Sequence, residues 1–176
     1  MTTLDTTTSS LATTLRRLYF VRFAFAIVWA VLMFASHSRL GAVGIALVVL
    51  YPLFDVGAAV VDARSSRTTR GLYVNIAISS VAAIALAFAG ASGVPAVLRV
   101  WGAWAVVSGL IQLVVGLGRR KLGGQWSMIL SGGLSVLAGA SFVATASAAN
   151  PSLTNIAGYA VLGGIFFLVS AIRLKR

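Results

Sequence analysis

Cysteine is absent, histidine occurs once, and only three acidic residues stand in a chain of 176. Without thiols there are no disulfides, no thiol nucleophile and no thiolate metal site, and one imidazole with three scattered carboxylates makes no ligand set for a metal. No glycine-rich loop leads into a lysine to cradle a phosphate, because the 18 glycines are spread through apolar stretches. Ser, His and Asp cannot be gathered into one site when the lone His37 falls at a turn and Asp55 falls inside an apolar segment. The sequence predicts no enzyme, no metal and no cofactor. Charge is scarce as well: 10% of the residues are charged, against roughly 25% in soluble domains.

What fills the chain instead is hydrophobic, 59% of it. Residues 71–98 and 122–172 carry no Asp, Glu, Lys or Arg. One membrane crossing takes about 20 apolar residues at about 1.5 Å each, so the longer run holds two crossings and a turn. The expected fold class is an all-α integral membrane protein of six transmembrane helices, arranged as three tandem helical hairpins. The crossings fall at 18–36, 42–61, 71–91, 96–116, 125–146 and 153–172, after a polar segment 1–17 and before a basic tail 173–176. Leu11, Leu15 and Leu18 follow helical spacing after Ser9 and Ser10, which predicts a short interfacial helix leading into the first crossing. The Thr-rich start with its Asp5 lacks the short cationic stretch of an export signal.

The net charge of +11 raises nucleic acid as a partner, but a groove-binding surface needs one contiguous basic face. Here the cations sit at the edges of apolar segments, which suits a bilayer with anionic headgroups and no nucleic acid. Because Lys and Arg are held back on the cytoplasmic side during insertion, placing both termini inside puts Arg16, Arg17, Arg64, Arg67, Arg70, Arg119, Arg120, Lys121, Arg173, Lys175 and Arg176 on one side. Arg39 and Arg99 fall at the other. Arg99 lies one turn into the fourth crossing, where its long side chain can reach the headgroups.

Sliding the chain by 54 residues pairs Arg16 with Arg70, Tyr19 with Tyr73, Phe34 with Phe88, Ala42 with Ala96, Val43 with Val97 and Val60 with Val114. The hairpins therefore read as parallel repeats about an axis along the membrane normal, with the third copy the weakest. Small residues recur every four positions at Ser127, Ser131, Ser135 and Gly139, at Ser79, Ala83, Ala87 and Ala91, at Ala105 and Gly109, and at Ala160 and Gly164. In lipid such stripes let helices approach closely, within one chain or in a homo-oligomer. The aromatic residues Trp29, Trp101, Trp104, Trp126, Tyr19, Tyr73 and Tyr159 are expected to anchor the crossing ends at the interface.

Asp55 is the acid set well inside a crossing, and a carboxylate there costs several kcal/mol unless it is neutralised. Counting inward from the cytoplasmic edge, Arg22 reaches a similar depth and is the expected ion-pair partner. Pro52, one turn earlier, has no N–H for the carbonyl of Val48, so the helix is expected to kink or loosen there. Such a place is either a structural salt bridge or the start of a proton path. His37 beside Arg39 would gain charge near pH ~6.5 and is the natural pH sensor on the outer face. Asn75, Gln112 and Asn155 can each hydrogen-bond a neighbouring helix.

From Val97 to Phe142 the run VLRVWGAWAVVSGLIQ, then RRK, then GGQWSMILSGGLSVLAGASF resembles the HdeD-like bacterial membrane proteins, built from a short repeat. Trp104, Gly109, Arg119, Arg120, Trp126, Gly132, Gly133, Ser135 and Gly139 carry the resemblance, and Asn150 with Pro151 falls where the last hairpin opens. It spans 96–172 and weakens in the first hairpin, where Arg39, Pro52 and Asp55 depart from the pattern. The resemblance implies a six-crossing protein of the bacterial inner membrane linked to acid or envelope stress. Beside that expectation stand a small proton or solute channel using Asp55 and Pro52, and a structural subunit or scaffold of a larger membrane complex.

Overall fold

The computed structural model describes residues 2–36, 40–65, 70–118 and 126–173, with side chains omitted at 2–12, 65, 115–116 and 127–128. Those residues form α1 (Thr2–Ala35), α2 (Ala42–Ser65), α3 (Arg70–Ser92), α4 (Val94–Gly118), α5 (Trp126–Thr145) and α6 (Thr154–Arg173). Five helices contain stretches long and apolar enough to cross a membrane: Thr13–Ala35, Ala42–Arg64, Arg70–Ser92, Val94–Val114 and Thr154–Arg173. α5, 20 residues long, lies along α4 and completes the bundle. The outer surface is apolar in the way a bilayer demands and water forbids: Phe88 is 74% exposed, Leu137 69% and Val81 67%. The fold is an all-α membrane protein.

Thr2 to Ala35 is one continuous helix, so the short helix expected around Leu11, Leu15 and Leu18 runs unbroken into the first crossing and begins earlier, at Thr2. No Gly or Pro interrupts it, so the turns that begin in the Thr-rich stretch carry straight on into the apolar part. At about 1.5 Å per residue α1 is about 51 Å long, roughly 20 Å more than the hydrocarbon core.

Each helix packs against its neighbours in chain order, and α6 closes on α1 to make a ring. Contacts such as Trp29 with Leu47, Asn75 with Asp55, Gly102 with Gly139 and Tyr19 with Phe167 make neighbouring helices antiparallel. The described Arg16, Arg17, Arg64, Arg70 and Arg173 consequently share one end of the bundle, the basic end. The tightest seams join successive hairpins, α2 to α3, α4 to α5 and α6 to α1, while α5 and α6 of the third hairpin are held least closely. α3 turns into α4 through Gly93 alone, at φ +101°, a conformation that disfavours any side chain.

The 54-residue repeat is also a repeat of contacts. Ser79 meets Trp104 between α3 and α4. Subtracting 54 from both gives Phe25 and Leu50, next to the Phe25 and Tyr51 contact. Adding 54 gives Gly133 and Gly158, next to the Ser135 and Tyr159 bond.

Glycine makes the α4/α5 seam. A Cβ on Gly102 would lie 2.5 Å from the Gly139 carbonyl oxygen, and one on Gly109 2.6 Å from that of Gly132. Of the small residues singled out by their four-residue spacing, Gly109 and Gly139 belong to this seam, Ala105 and Ala160 are buried, and a Cβ on Gly164 would lie 3.2 Å from Ala26 Cβ across the α6/α1 seam. Gly102 and Gly132 escape that spacing because the seam repeats at seven residues on both helices. Ser135 turns to α6, where its hydroxyl shares a 2.8 Å hydrogen bond with Tyr159. Ser131 lines a crevice between α5 and α6, and the Ser127 side chain lies outside the described residues.

The expectation that the tryptophans anchor the interface is corrected. Trp29 and Trp101 are 1% and 0% exposed, stacked on one another with ring centroids 5.5 Å apart, and Trp104 meets Trp101 edge-on at 5.4 Å. Helix pairs crossing an uneven interior need large rings to fill it, and the Trp29 indole finds its acceptor at the Leu47 carbonyl, 2.7 Å away. Only Trp126 and Tyr73, 73% and 61% exposed at helix ends, have the exposure of anchors.

Candidate functional site: a buried ion pair held from five helices

Asp55 and Ser79 each lie nine residues from a basic residue at the basic end of their helices, Arg64 and Arg70, and Arg22 pairs with Asp55 at that level. At about 1.5 Å per residue that is a depth of about 14 Å, near the middle of a hydrocarbon core of about 30 Å. The antiparallel ring brings them together.

Arg22 Nη2 on α1 donates to Asp55 Oδ1 on α2, as the matching depths lead one to expect. The other carboxylate oxygen, Oδ2, accepts from Asn75 Nδ2 at 2.7 Å and from Ser79 Oγ at 2.9 Å, both on α3. Ser79 in turn accepts from Trp104 Nε1 on α4 at 3.2 Å. The Arg22 guanidinium sits over the Phe167 ring of α6, 4.5 Å from its centroid. The pair is neutral as a unit, its charges are 12% and 17% exposed, and each carboxylate oxygen has a donor. These are the conditions under which a buried ion pair is tolerated.

Toward the end opposite the basic one, the pair is capped by Trp29, Tyr51, Trp101 and Trp104. Beyond them the core is hydrocarbon: Met33, Val48, Leu86, Val97, Leu98, Leu153 and Ile156 are all fully buried. Pro52 is buried within α2, which stays helical from Ala42 to Ser65. The carbonyl just before the one Pro52 leaves without its donor, that of Leu47, is where the Trp29 indole binds.

Toward the basic end, Ser108 and Gln112 follow Trp104 at one-turn intervals on α4. Ser108 Oγ and Gln112 Oε1 are buried without a hydrogen-bond partner among the described residues, as is Trp101 Nε1. Among the described residues Gln112 bonds no neighbouring helix through this oxygen, whereas Asn75 does through its amide. Asn155 is exposed at the start of α6, and exposed Arg99 donates to Ser147 Oγ at 3.3 Å. His37 lies outside the described residues. No three potential metal ligands come together among the described residues.

Sequence reasoning paired Arg22 with Asp55 by depth but treated Ser79 as a packing residue. The signal was available: Ser79 has the same depth on the next helix, and a carboxylate with one partner still has acceptor sites to fill. Trp104 gave no such signal, because an indole N–H is donor-only and could have faced any carbonyl.

No protein-family model matches the chain, and no curated protein and no solved structure matches it either.

Proposed function

We propose that the chain is a non-enzymatic protein of HdeD-like type, seated in the bacterial inner membrane with its basic end in the cytoplasm, where it serves tolerance of acid or envelope stress. The resemblance across residues 96–172 motivates the family, and the gathering of Arg16, Arg17, Arg64, Arg70 and Arg173 at one end favours that orientation. The observation that carries a static rather than conducting role is the ion pair. Both oxygens of Asp55 are engaged, and stacked aromatic rings close the bundle above it. A chain with three acids and one histidine also has few groups whose protonation acid can change, which suits service at low pH.

Deleting the gene for this chain is expected to lower survival at acid external pH, with rescue by the intact chain; survival equal to the parent strain ends the stress assignment. Purified protein in liposomes is expected to pass no protons. A proton flux that disappears in Asp55→Asn would replace the static reading with a conducting one.

A further inference from the structure

The loosest joint in the ring, between α5 and α6, encloses a crevice of about 490 Å³ whose rim is formed by Leu134, Leu137 and Leu162 and whose floor includes Ser135 and Tyr159. The rim residues are 44%, 69% and 52% exposed, so the crevice opens sideways to the bilayer. We infer that it is a binding site for one acyl chain of a membrane phospholipid whose phosphate lies at the end opposite the basic end.

The internal repeat explains why space is left here. In the first hairpin the corresponding joint is filled by Phe25 and Phe54, stacked 3.7 Å apart, with Tyr51 beside them. In the second it is filled by the Trp104 indole reaching Ser79. The equivalents of Ser79 and Trp104 in the third hairpin are Gly133 and Gly158; of the two, Gly158 lines the crevice, and a Cβ added to it would touch nothing within 4 Å. The third copy keeps the register through Ser135 and Tyr159 but has a glycine where the second has the Trp104 indole.

The crevice has the dimensions and chemistry of a lipid tail. Its α6 wall runs from Thr154 to Phe166, about 18 Å at 1.5 Å per residue, close to the depth of one leaflet of a core about 30 Å thick. Its floor hydroxyls, Ser135 and Tyr159, are hydrogen-bonded to one another rather than offered to a guest. At the mouth stand Thr154 and Asn155, exposed at the first turn of α6. Exposed Arg99 is tied through Ser147 to the connection between α5 and α6, setting a cation at the headgroup level. A phosphodiester complements that mouth, and a hydrocarbon chain complements the interior.

The full chain is placed in phosphatidylcholine vesicles doped with phosphatidylglycerol that carries a nitroxide on one acyl chain, and the restrained spectral component is measured. The parent is expected to hold a restrained component above that of boundary lipid. Gly158→Leu, which fills the crevice, is expected to halve it or more, and Leu162→Trp at the rim supplies the same reading if the first variant does not fold. Arg99→Gln is expected to abolish the preference for phosphatidylglycerol over labelled phosphatidylcholine while the restrained component remains. A parent without the extra component, or filled variants that keep it, overturns the site. So does a parent dimer that Gly158→Leu converts to monomer, because the crevice then receives a second copy of the chain. A headgroup preference that survives Arg99→Gln overturns the part assigned to Arg99.

Discussion

Removing one member of the Arg22 and Asp55 pair should cost far more than removing both. Among the described residues, Arg22→Met leaves a carboxylate near mid-bilayer with Asn75 and Ser79 as its donors, and Asp55→Leu leaves a guanidinium that has lost its carboxylate and keeps the Phe167 ring. Each side chain is less than one-fifth exposed, so solvent screens little of the loss. Breaking a buried pair on one side costs about 3–5 kcal/mol. The double variant removes both charges. What it loses is the pair of hydrogen bonds from Asn75 and Ser79, which average about 0.6 kcal/mol each inside membranes, or about 1 kcal/mol together. The cycle should therefore be non-additive by several kcal/mol, with the double variant more stable than either single one. Equilibrium unfolding in mixed micelles with increasing sodium dodecyl sulfate, followed by the fluorescence of the buried Trp29 and Trp101, measures all four corners. Additive losses within about 0.5 kcal/mol would show that the two side chains do not stabilise each other and that the site is a chance juxtaposition.

Gly102→Ala should destabilise the bundle by about 1–3 kcal/mol, since its Cβ meets a backbone carbonyl that no side-chain rotation can clear. Gly57→Ala on the exposed face of α2, with open space around the new methyl, should leave the thermal midpoint in detergent unchanged or raised; equal loss from both would dissolve the glycine seam. The absence of cysteine makes the chain a ready background for labelling. A membrane-impermeant maleimide applied to whole cells should modify Ser147→Cys and spare Arg64→Cys, and the opposite pattern would invert the orientation.

The helices were legible because their ends are written in charge and in turn residues. Arg70 opens α3 and Gly93 closes it, and both follow from the cost of placing cations in hydrocarbon and from the conformation Gly alone adopts easily. The ion pair was legible because depth can be counted along a helix of known rise. Rotation about each helix axis is what the sequence hid. Every helix here is apolar on most sides, so no polar stripe marks which face turns inward, and Trp29 and Trp101 could be assigned to the interface although they fill the centre. The glycine seam was half legible. Gly109 and Gly139 stand out by spacing, but their partners Gly102 and Gly132 are fixed only once α4 and α5 are set antiparallel in register. The start of α1 was partly legible: Leu11, Leu15 and Leu18 mark helix before the crossing, whereas the Thr-rich stretch ahead of them has weak helical preference of its own and takes its conformation from the helix that follows.

The firmest joints of the ring lie between hairpins rather than within them, and this sets an order on assembly. A hairpin emerging alone from the insertion machinery has little to grip internally; it gains its main partner when the first helix of the next one arrives. α1 waits longer than α2 or α4, since its closest mate is α6, four helices beyond α2. Until then Phe23 and Ala26 lack Gly164 as a neighbour, so the six helices stay an open arc and become a closed ring only when α6 arrives.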